Sequence, residues 1–239
     1  MNNCKGKVVI VTGGSEGYGY GMAKALKAEG ANVFITGRRL EILEKTAGEL
    51  GVKYVQADVT CGAAWDKVFE ATGGHVDILI NNAGGGVKIV PLAEQSDDEI
   101  FHSIETNLIG AILGCRRAAK IMTGQKSGLI INVSSICAHY GWPGWSVYSA
   151  AKAGLDKFSR AFYTEMRPHN VRVTVLTPSW GSTNFLAAAS LPVSDSETEN
   201  KKMTPDQMGD LIVNICNFHT HLEIPEIMVQ PLIQEVIPF

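Results

Sequence analysis

Short runs of β-branched and aliphatic residues alternate along this chain with longer stretches at helical spacing, and that alternation constrains the fold most. "VVIV" (8–11) is followed by glycines and by a segment, about 17–29, in which Met22, Ala23 and Leu26 recur at helical period. The pattern repeats with "NVFIT" (32–36) and a helix about 39–50, "KYVQA" (53–57) and a helix about 62–72, and "DILIN" (77–81) and a long helical stretch about 97–123. "GLIINVS" (128–134), a helix about 147–167, "RVTVLT" (172–177), a helix about 204–217 and "EIMV" (226–229) complete it. Strands that are apolar throughout belong in a parallel sheet covered on both faces. The expected fold is α/β, a doubly wound Rossmann-type sandwich with a mostly or wholly parallel sheet of about seven strands.

At 239 residues the chain suits one domain, and nothing in its length requires a second. The one long irregular stretch, about 179–204, carries Leu186, Leu191, Pro192 and the polar run "SDSETENKK". So long a connection inside a compact domain reads as a substrate lid. A net charge of −3 with 19% charged residues gives no electrostatic case for nucleic acid or an acidic membrane. The apolar run after Lys5 and Lys7 is too brief for a signal-peptide core or a membrane span. Five scattered cysteines without a C-x-x-C pair suggest reduced thiols, with neither a disulfide framework nor a metal site. The expected location is cytoplasmic.

"TGGSEGYG" (12–19) follows the first strand and opens the first helix, with Gly13, Gly17 and Gly19 at the turn. Glycines there let a pyrophosphate approach free N–H groups at a helix N-terminus. An isolated match could equally be a tight turn that binds nothing; its place in the first strand–turn–helix unit favours a dinucleotide. Asp58, ending the third strand, can accept from an adenine amino group or cap the next helix with help from Thr60. "NNAG" (81–84) can approach a cofactor and tie loops together, or be a plain turn.

Tyr148 and Lys152, in "YSAAK", are four positions apart and share a helix face, with small residues between them. A phenol titrates near ~10 and is a poor base at neutral pH unless a nearby cation favours its anion. Lys152 can supply that charge. Ser135 ends a strand 13 residues before Tyr148, where its hydroxyl can bond a carbonyl or the alkoxide it becomes. Ser134 competes for that role but is expected to turn into the fold.

Together these residues resemble the short-chain dehydrogenases/reductases over about Lys7 to Thr183: the glycine loop, Asn-Asn-Ala-Gly, Asn107 in "TNLIG", the serine and the Tyr-x-x-x-Lys pair, in order. The resemblance implies reversible hydride transfer between a nicotinamide cofactor and a small-molecule carbonyl or alcohol, in a homodimer or homotetramer. Tyr148 would be the general acid/base, and Lys152 would hold the nicotinamide ribose while lowering the tyrosine pKa. Ser135 would polarise the carbonyl, and Asn107 would support a water chain to the lysine. The implied cofactor contacts are Gly13, Ser15, Gly17, Tyr18, Gly19, Arg38, Arg39, Asp58, Val59, Asn81, Ala83, Gly84, Tyr148, Lys152, Pro178 and Thr183.

Three features depart from the family. Tyr18 replaces a small aliphatic residue, Ser179 replaces the glycine after Pro178, and the late Asp-Gly-Gly is missing. Around the site, "ICAHYGWPGW" (136–145) is unusually aromatic, so Trp142, Trp145, Trp180 and Phe185 are expected to line a pocket for a hydrophobic substrate, or in part to pack subunits. His139 reads as a loop residue. At the end of the second strand, "ITGRR" has Gly37, Arg38 and Arg39 where an NAD-dependent relative would carry an acid. NADP(H) is therefore the expected cofactor, with NAD(H) possible; Glu16, taken as solvated, opposes the two arginines. The competing readings are a catalytically silent nicotinamide-binding sensor or scaffold, against which the intact Ser135, Tyr148 and Lys152 argue, and lyase or epimerase chemistry, which usually uses a longer C-terminal part. The apolar tail "VQPLIQEVIPF" is expected to be buried against its own domain or a neighbouring subunit.

Overall fold

The computed structural model describes residues 3–85, 88–189, 191 and 196–234. Seven strands, β1 (Val8–Thr12), β2 (Asn32–Gly37), β3 (Lys53–Gln56), β4 (Ile78–Asn81), β5 (Gly128–Val133), β6 (Val171–Pro178) and β7 (Glu226–Val229), form one sheet in the order β3-β2-β1-β4-β5-β6-β7. Every pairing is parallel. The strand order reverses between β1 and β4, so their carboxyl ends frame the crevice in which such sheets bind ligands.

The alternating pleat explains the uninterrupted apolar runs. Val9, Val11 and Ile35 face one core layer, under α1 (Gly17–Ala28), α2 (Leu40–Leu50) and α9 (Pro205–Asn217), where Met22, Leu26, Leu43, Met208 and Ile212 pack. Ile10, Phe34 and Leu79 face the other, under α3 (Gly62–Ala71), α5 (Gly110–Gln125) and α6 (Ser146–Met166), with Trp65, Met122 and Phe162. The edge strand β3 differs: Lys53, Tyr54 and Gln56 are exposed, so it is not apolar throughout. No helix among the described residues is long and apolar enough to cross a membrane.

The helical stretch expected over 97–123 is interrupted. α4 (Asp97–Ile104), opened by a Ser96/Glu99 capping box, passes through a π-helical turn, Glu105–Ile109, before α5. In that turn the Asn107 amide donates to the Ser103 carbonyl at 3.0 Å, side chain competing with backbone for the helical acceptor.

The stretch expected to be a lid carries α7 (Phe185–Ala188) and α8 (Ser196–Glu199) among its described residues. Its two ends meet: Gly181 bridges Met203, the Ser182 N–H donates to the Met203 carbonyl at 2.9 Å, and buried Lys202 pairs with Glu199 at 2.7 Å. Pro192 lies outside the described residues, as do Val236, Ile237 and Phe239 of the tail. Of the tail residues described, Leu232 is fully exposed in this chain and Ile233 is 37% exposed. Gln234 is buried, its Oε1 accepting from the Ser179 hydroxyl and from the Trp180 N–H.

Helices α1 and α9 cross at glycines. A Cβ on Gly21 would collide with the Pro205 carbonyl, and one on Gly209 would meet the Gly21 carbonyl at 2.5 Å. Because backbone cannot yield as a side chain does, Gly21→Ala is expected to destabilise the protein by about 1–3 kcal/mol. Urea unfolding of wild type and variant checks this; equal midpoints would contradict the close crossing.

Candidate active site

The crevice is assembled from the strand ends upward. Thr12 closes β1, and its hydroxyl accepts from the Asn82 N–H at 3.0 Å and the Ala83 N–H at 2.9 Å. The Asn82 amide returns two bonds, to the Thr12 and Gly13 carbonyls at 2.9 and 3.3 Å. The loop after β4 is thus stitched to the glycine loop after β1. In that loop Gly13 has φ +63°, which favours glycine, and a Cβ on Gly19 would strike the Gly13 carbonyl. Glu16, at the N-cap of α1, makes no side-chain capping bond, and the first turn carries no acid. Those N–H groups and the glycine cradle fit the pyrophosphate of a dinucleotide.

Ser15 lies beside the end of β2, its hydroxyl 3.5 Å from where a Gly37 Cβ would stand. Arg39 and Glu16, expected to act separately, form an ion pair instead. Glu16 is therefore not simply solvated, and Arg39 faces a carboxylate. Arg38 makes no side-chain hydrogen bond or ion pair among the described residues, and its charge reaches Asp58. Asp58 does not cap α3, whose N-cap is Cys61; its Oδ1 accepts from the Thr60 N–H at 2.9 Å and hydroxyl at 2.8 Å. Burial would raise its pKa, but the Thr60 bonds and Arg38 hold it below the ordinary carboxylate value.

Asn81 and Val59 sit behind the crevice. The Asn81 amide, buried, donates to Asn132 Oδ1 at 2.8 Å, and the Asn132 amide donates to the Ser159 hydroxyl at 2.8 Å. This polar chain fixes β4, β5 and α6 relative to one another. The Val59 carbonyl accepts from the Trp65 indole at 2.8 Å, and its side chain lies against Gly110. The loop tie expected of the Asn-Asn-Ala-Gly segment is made by its second asparagine, Asn82.

The catalytic candidates meet at the carboxyl end of β5. Tyr148 and Lys152 occupy successive turns of α6, with Lys152 Nζ 5.8 Å from the phenol ring centroid. Lys152 is buried and donates to the Val133 carbonyl at 2.9 Å. Ser135 Oγ accepts from the Cys137 N–H at 3.2 Å and touches the phenol, while Ser134 is buried as expected. Asn107 Oδ1 accepts from the Gly85 N–H at 2.9 Å; a Cβ on Gly84 would sit 2.8 Å from Asn107 Oδ1 and 3.3 Å from Lys152 Nζ. Asn107 therefore positions the loop that packs onto the lysine.

Burial raises the Tyr148 pKa far above that of a free phenol, neighbouring Cys137 raises it further, and the Ser135 contact pulls it back. Burial also lowers Lys152 from 10.5 to about 8, opposed by Asp156 and Cys137.

An aromatic group covers the phenol. Phe185 stacks on Trp145 with centroids 6.1 Å apart and meets the Tyr148 ring at 5.6 Å, while its edge lies 3.0 Å from where a Gly85 Cβ would be. Trp142 packs on Tyr140 at 6.3 Å in the same cluster. Trp180 is not among these rings: it is 47% exposed, and its backbone holds the lid base. Thr183 rests against Gly17, its hydroxyl accepting from the Phe185 N–H at 3.3 Å, and Pro178 pairs with Val229 in the sheet. Tyr18 packs against Gly181, where a Cβ would collide with its hydroxyl.

A parallel sheet with a glycine-lined crevice at its switch point and a serine, tyrosine and lysine at its carboxyl edge defines a dinucleotide-dependent oxidoreductase. The chain belongs to the short chain dehydrogenase family, whose model matches residues 7–192. An uncharacterized oxidoreductase of Staphylococcus aureus (strain USA300) is 31% identical over 232 residues, 95% of this chain and 97% of that protein. Serine 3-dehydrogenase of Agrobacterium fabrum is 29% identical over 240 residues, 97% and 96% of the two chains. The closed form of a serine dehydrogenase complexed with NADP+ superposes with a TM-score of 0.90 at 27% identity, over 97% of this chain and 98% of that one.

The Lys152 shift carries a stability signature for the cofactor-free protein. Between about 8 and 10.5 the unfolded chain binds the lysine proton and the folded chain does not. Stability contributed by this group therefore rises with pH across that window. Melting temperatures measured from pH 8 to 10.5 should show this component in the wild type and lose it in Lys152→Met; identical slopes would refute it.

Proposed function

We propose that this protein catalyses reversible hydride transfer between NADP(H) and a carbonyl or secondary alcohol on an uncharged, hydrophobic small molecule. The observation that carries the reading is the convergence of Ser135, Tyr148 and Lys152 beneath the aromatic cluster. The glycine loop, Ser15, Arg38, Asp58, Ala83, Gly84 and Thr183 would hold the cofactor, which when bound supplies or accepts the hydride. Ser135 donates to the substrate oxygen, Tyr148 gives or takes its proton, and Lys152 favours the phenolate by its charge. Asn107 keeps the loop over Lys152 in place. Phe185 and Trp145 exclude water from the phenol.

Three serine-edge groups in register argue against a silent sensor or scaffold, which would need none of them. The family and its dehydrogenase relatives argue against lyase or epimerase chemistry. A preference for NADP(H) over NAD(H) is supported by Arg38, which has no side-chain ion-pair partner among the described residues, and by the NADP+ carried by the serine dehydrogenase neighbour. Arg39 contributes less, since Glu16 already answers it. The rings of Trp145 and Phe185 against Tyr148, with Tyr140 and Trp142 in the same cluster, favour a ring-bearing ketone or alcohol over an amino acid. The exposed Leu222, Met228, Leu232 and Ile233 near the C-terminus support a homodimer or homotetramer, and the proposed location is the cytoplasm.

Nicotinamide absorbance, followed with both cofactors across cyclic and aromatic ketones, their alcohols and serine, tests the function. Turnover of the apolar compounds above serine is expected; serine as the best substrate would remove the pocket reading. Tyr148→Phe should lower kcat by ~10²–10⁴-fold with cofactor affinity nearly unchanged; most of the turnover remaining would dismiss the phenol as acid/base. Arg38→Ala should weaken the NADP preference in kcat/KM by roughly ten- to a hundredfold, the worth of a charge-assisted hydrogen bond. An unaltered preference, or a wild type that prefers NAD, would overturn the cofactor assignment.

A further inference from the structure

We infer that His139, Asp156 and Glu226 form a binding site for a divalent transition-metal cation of the zinc type, outside the catalytic crevice. The three come from separate elements: His139 from the turn after β5, Asp156 from α6 and Glu226 from the first position of β7. His139 Nε2 lies 3.3 Å from Asp156 Oδ2 and 3.0 Å from Glu226 Oε1, and one donor atom from each residue falls within 4.8 Å of the others. Zinc bonds of 2.0–2.1 Å in a tetrahedron set donors roughly 3.3 Å apart, so the two distances from His139 match one ion, and the third pair, within 4.8 Å, needs at most a small side-chain adjustment. One imidazole and two carboxylates are a ligand set that zinc accepts while retaining an open position.

The independent observation is Asp156 itself. Its side chain is 9% exposed, and neither carboxylate oxygen makes a well-formed hydrogen bond, although the Ser134 hydroxyl and the His139 ring approach it. The charges of Lys152 and Arg160 act on it from further off, so a buried carboxylate in that state still has room for a close positive partner. A cleft of about 200 Å³ beside it, lined by Ala138, His139, Ala153, Asp156, Lys157 and Arg160, gives an entry path. The two cations in that lining weigh against a metal, but Arg160 is committed to Glu226 Oε2 at 2.6 Å, leaving Oε1 on the His139 side. A hydrogen bond to the second oxygen of a ligating carboxylate is a usual support for metal sites. The competing description is a protonated His139 bridging the two carboxylates, with no affinity for metal.

The test titrates untagged protein with zinc chloride against a chromophoric competitor chelator at pH 7.5. One equivalent per chain is expected, with a higher melting temperature on binding. His139→Ala and Glu226→Gln should each weaken binding at least tenfold, the lower end of the loss seen when even a supporting partner is removed. The double variant His219→Ala/His221→Ala, altering the exposed histidine pair near the end of α9, should bind as the wild type does. Because Asp156 is buried, Asp156→Asn serves only as a supplement, and zinc-free melting curves verify that the other variants fold. The inference is overturned if the wild type takes up no zinc in competition with the chelator, or if His139→Ala and Glu226→Gln bind zinc as tightly as the wild type does.

Discussion

The hydrogen bond from the Lys152 ammonium to the Val133 carbonyl fixes where α6 meets the sheet. An ammonium buried this deeply costs several kcal/mol unless it is bonded and electrically supported. The carboxyl end of β5 supplies the acceptor, and Asp156, one helical turn further along α6, opposes the loss of its proton. The Asn81–Asn132–Ser159 chain then ties the same helix to β4 and β5 at a second level. With two polar anchors, α6 has neither a register to slip into nor a rotation that keeps both, and Tyr148 is delivered to Ser135 as a consequence.

The same economy governs the crevice floor. Thr12 and Asn82 join the ends of two neighbouring strands by four hydrogen bonds, so the two loops that would embrace a cofactor move as one body. Asn107 extends this body to the helical layer, because the π turn frees its side chain to accept from Gly85 while it remains bonded to Ser103. A regular α-helix would have carried that side chain elsewhere, which gives the irregularity a purpose.

What the sequence made legible was local. Continuous apolar runs at a two-residue pleat and helices at 3.6-residue period identified the doubly wound sheet, and Tyr148, Lys152 and Ser135 were readable because their spacing is set within one helix and one strand end. Long-range pairings were not legible. Nothing in the order of residues tells that Glu16 would find Arg39 across 23 positions, or that of the four rings expected to line one pocket Trp180 would stay outside while Phe185 stacks on Trp145. His139, Asp156 and Glu226 are likewise invisible as a group, since metal-ligand spacing is recognisable only when the ligands share an element or a loop. The tyrosine at position 18 looked like an intrusion into a glycine loop until Gly181, 163 residues later, proved to leave the space it fills.

The departures from the family pattern answer one another in this way, and they converge on the lid base. Ser179, standing where the family carries glycine, bonds Gln234, and the same Gln234 oxygen accepts from the Trp180 N–H. Tyr18 packs beneath Gly181, and Thr183 rests on Gly17. The glycine loop, the end of β6 and the C-terminal segment therefore share one junction, from which Phe185 reaches over Tyr148.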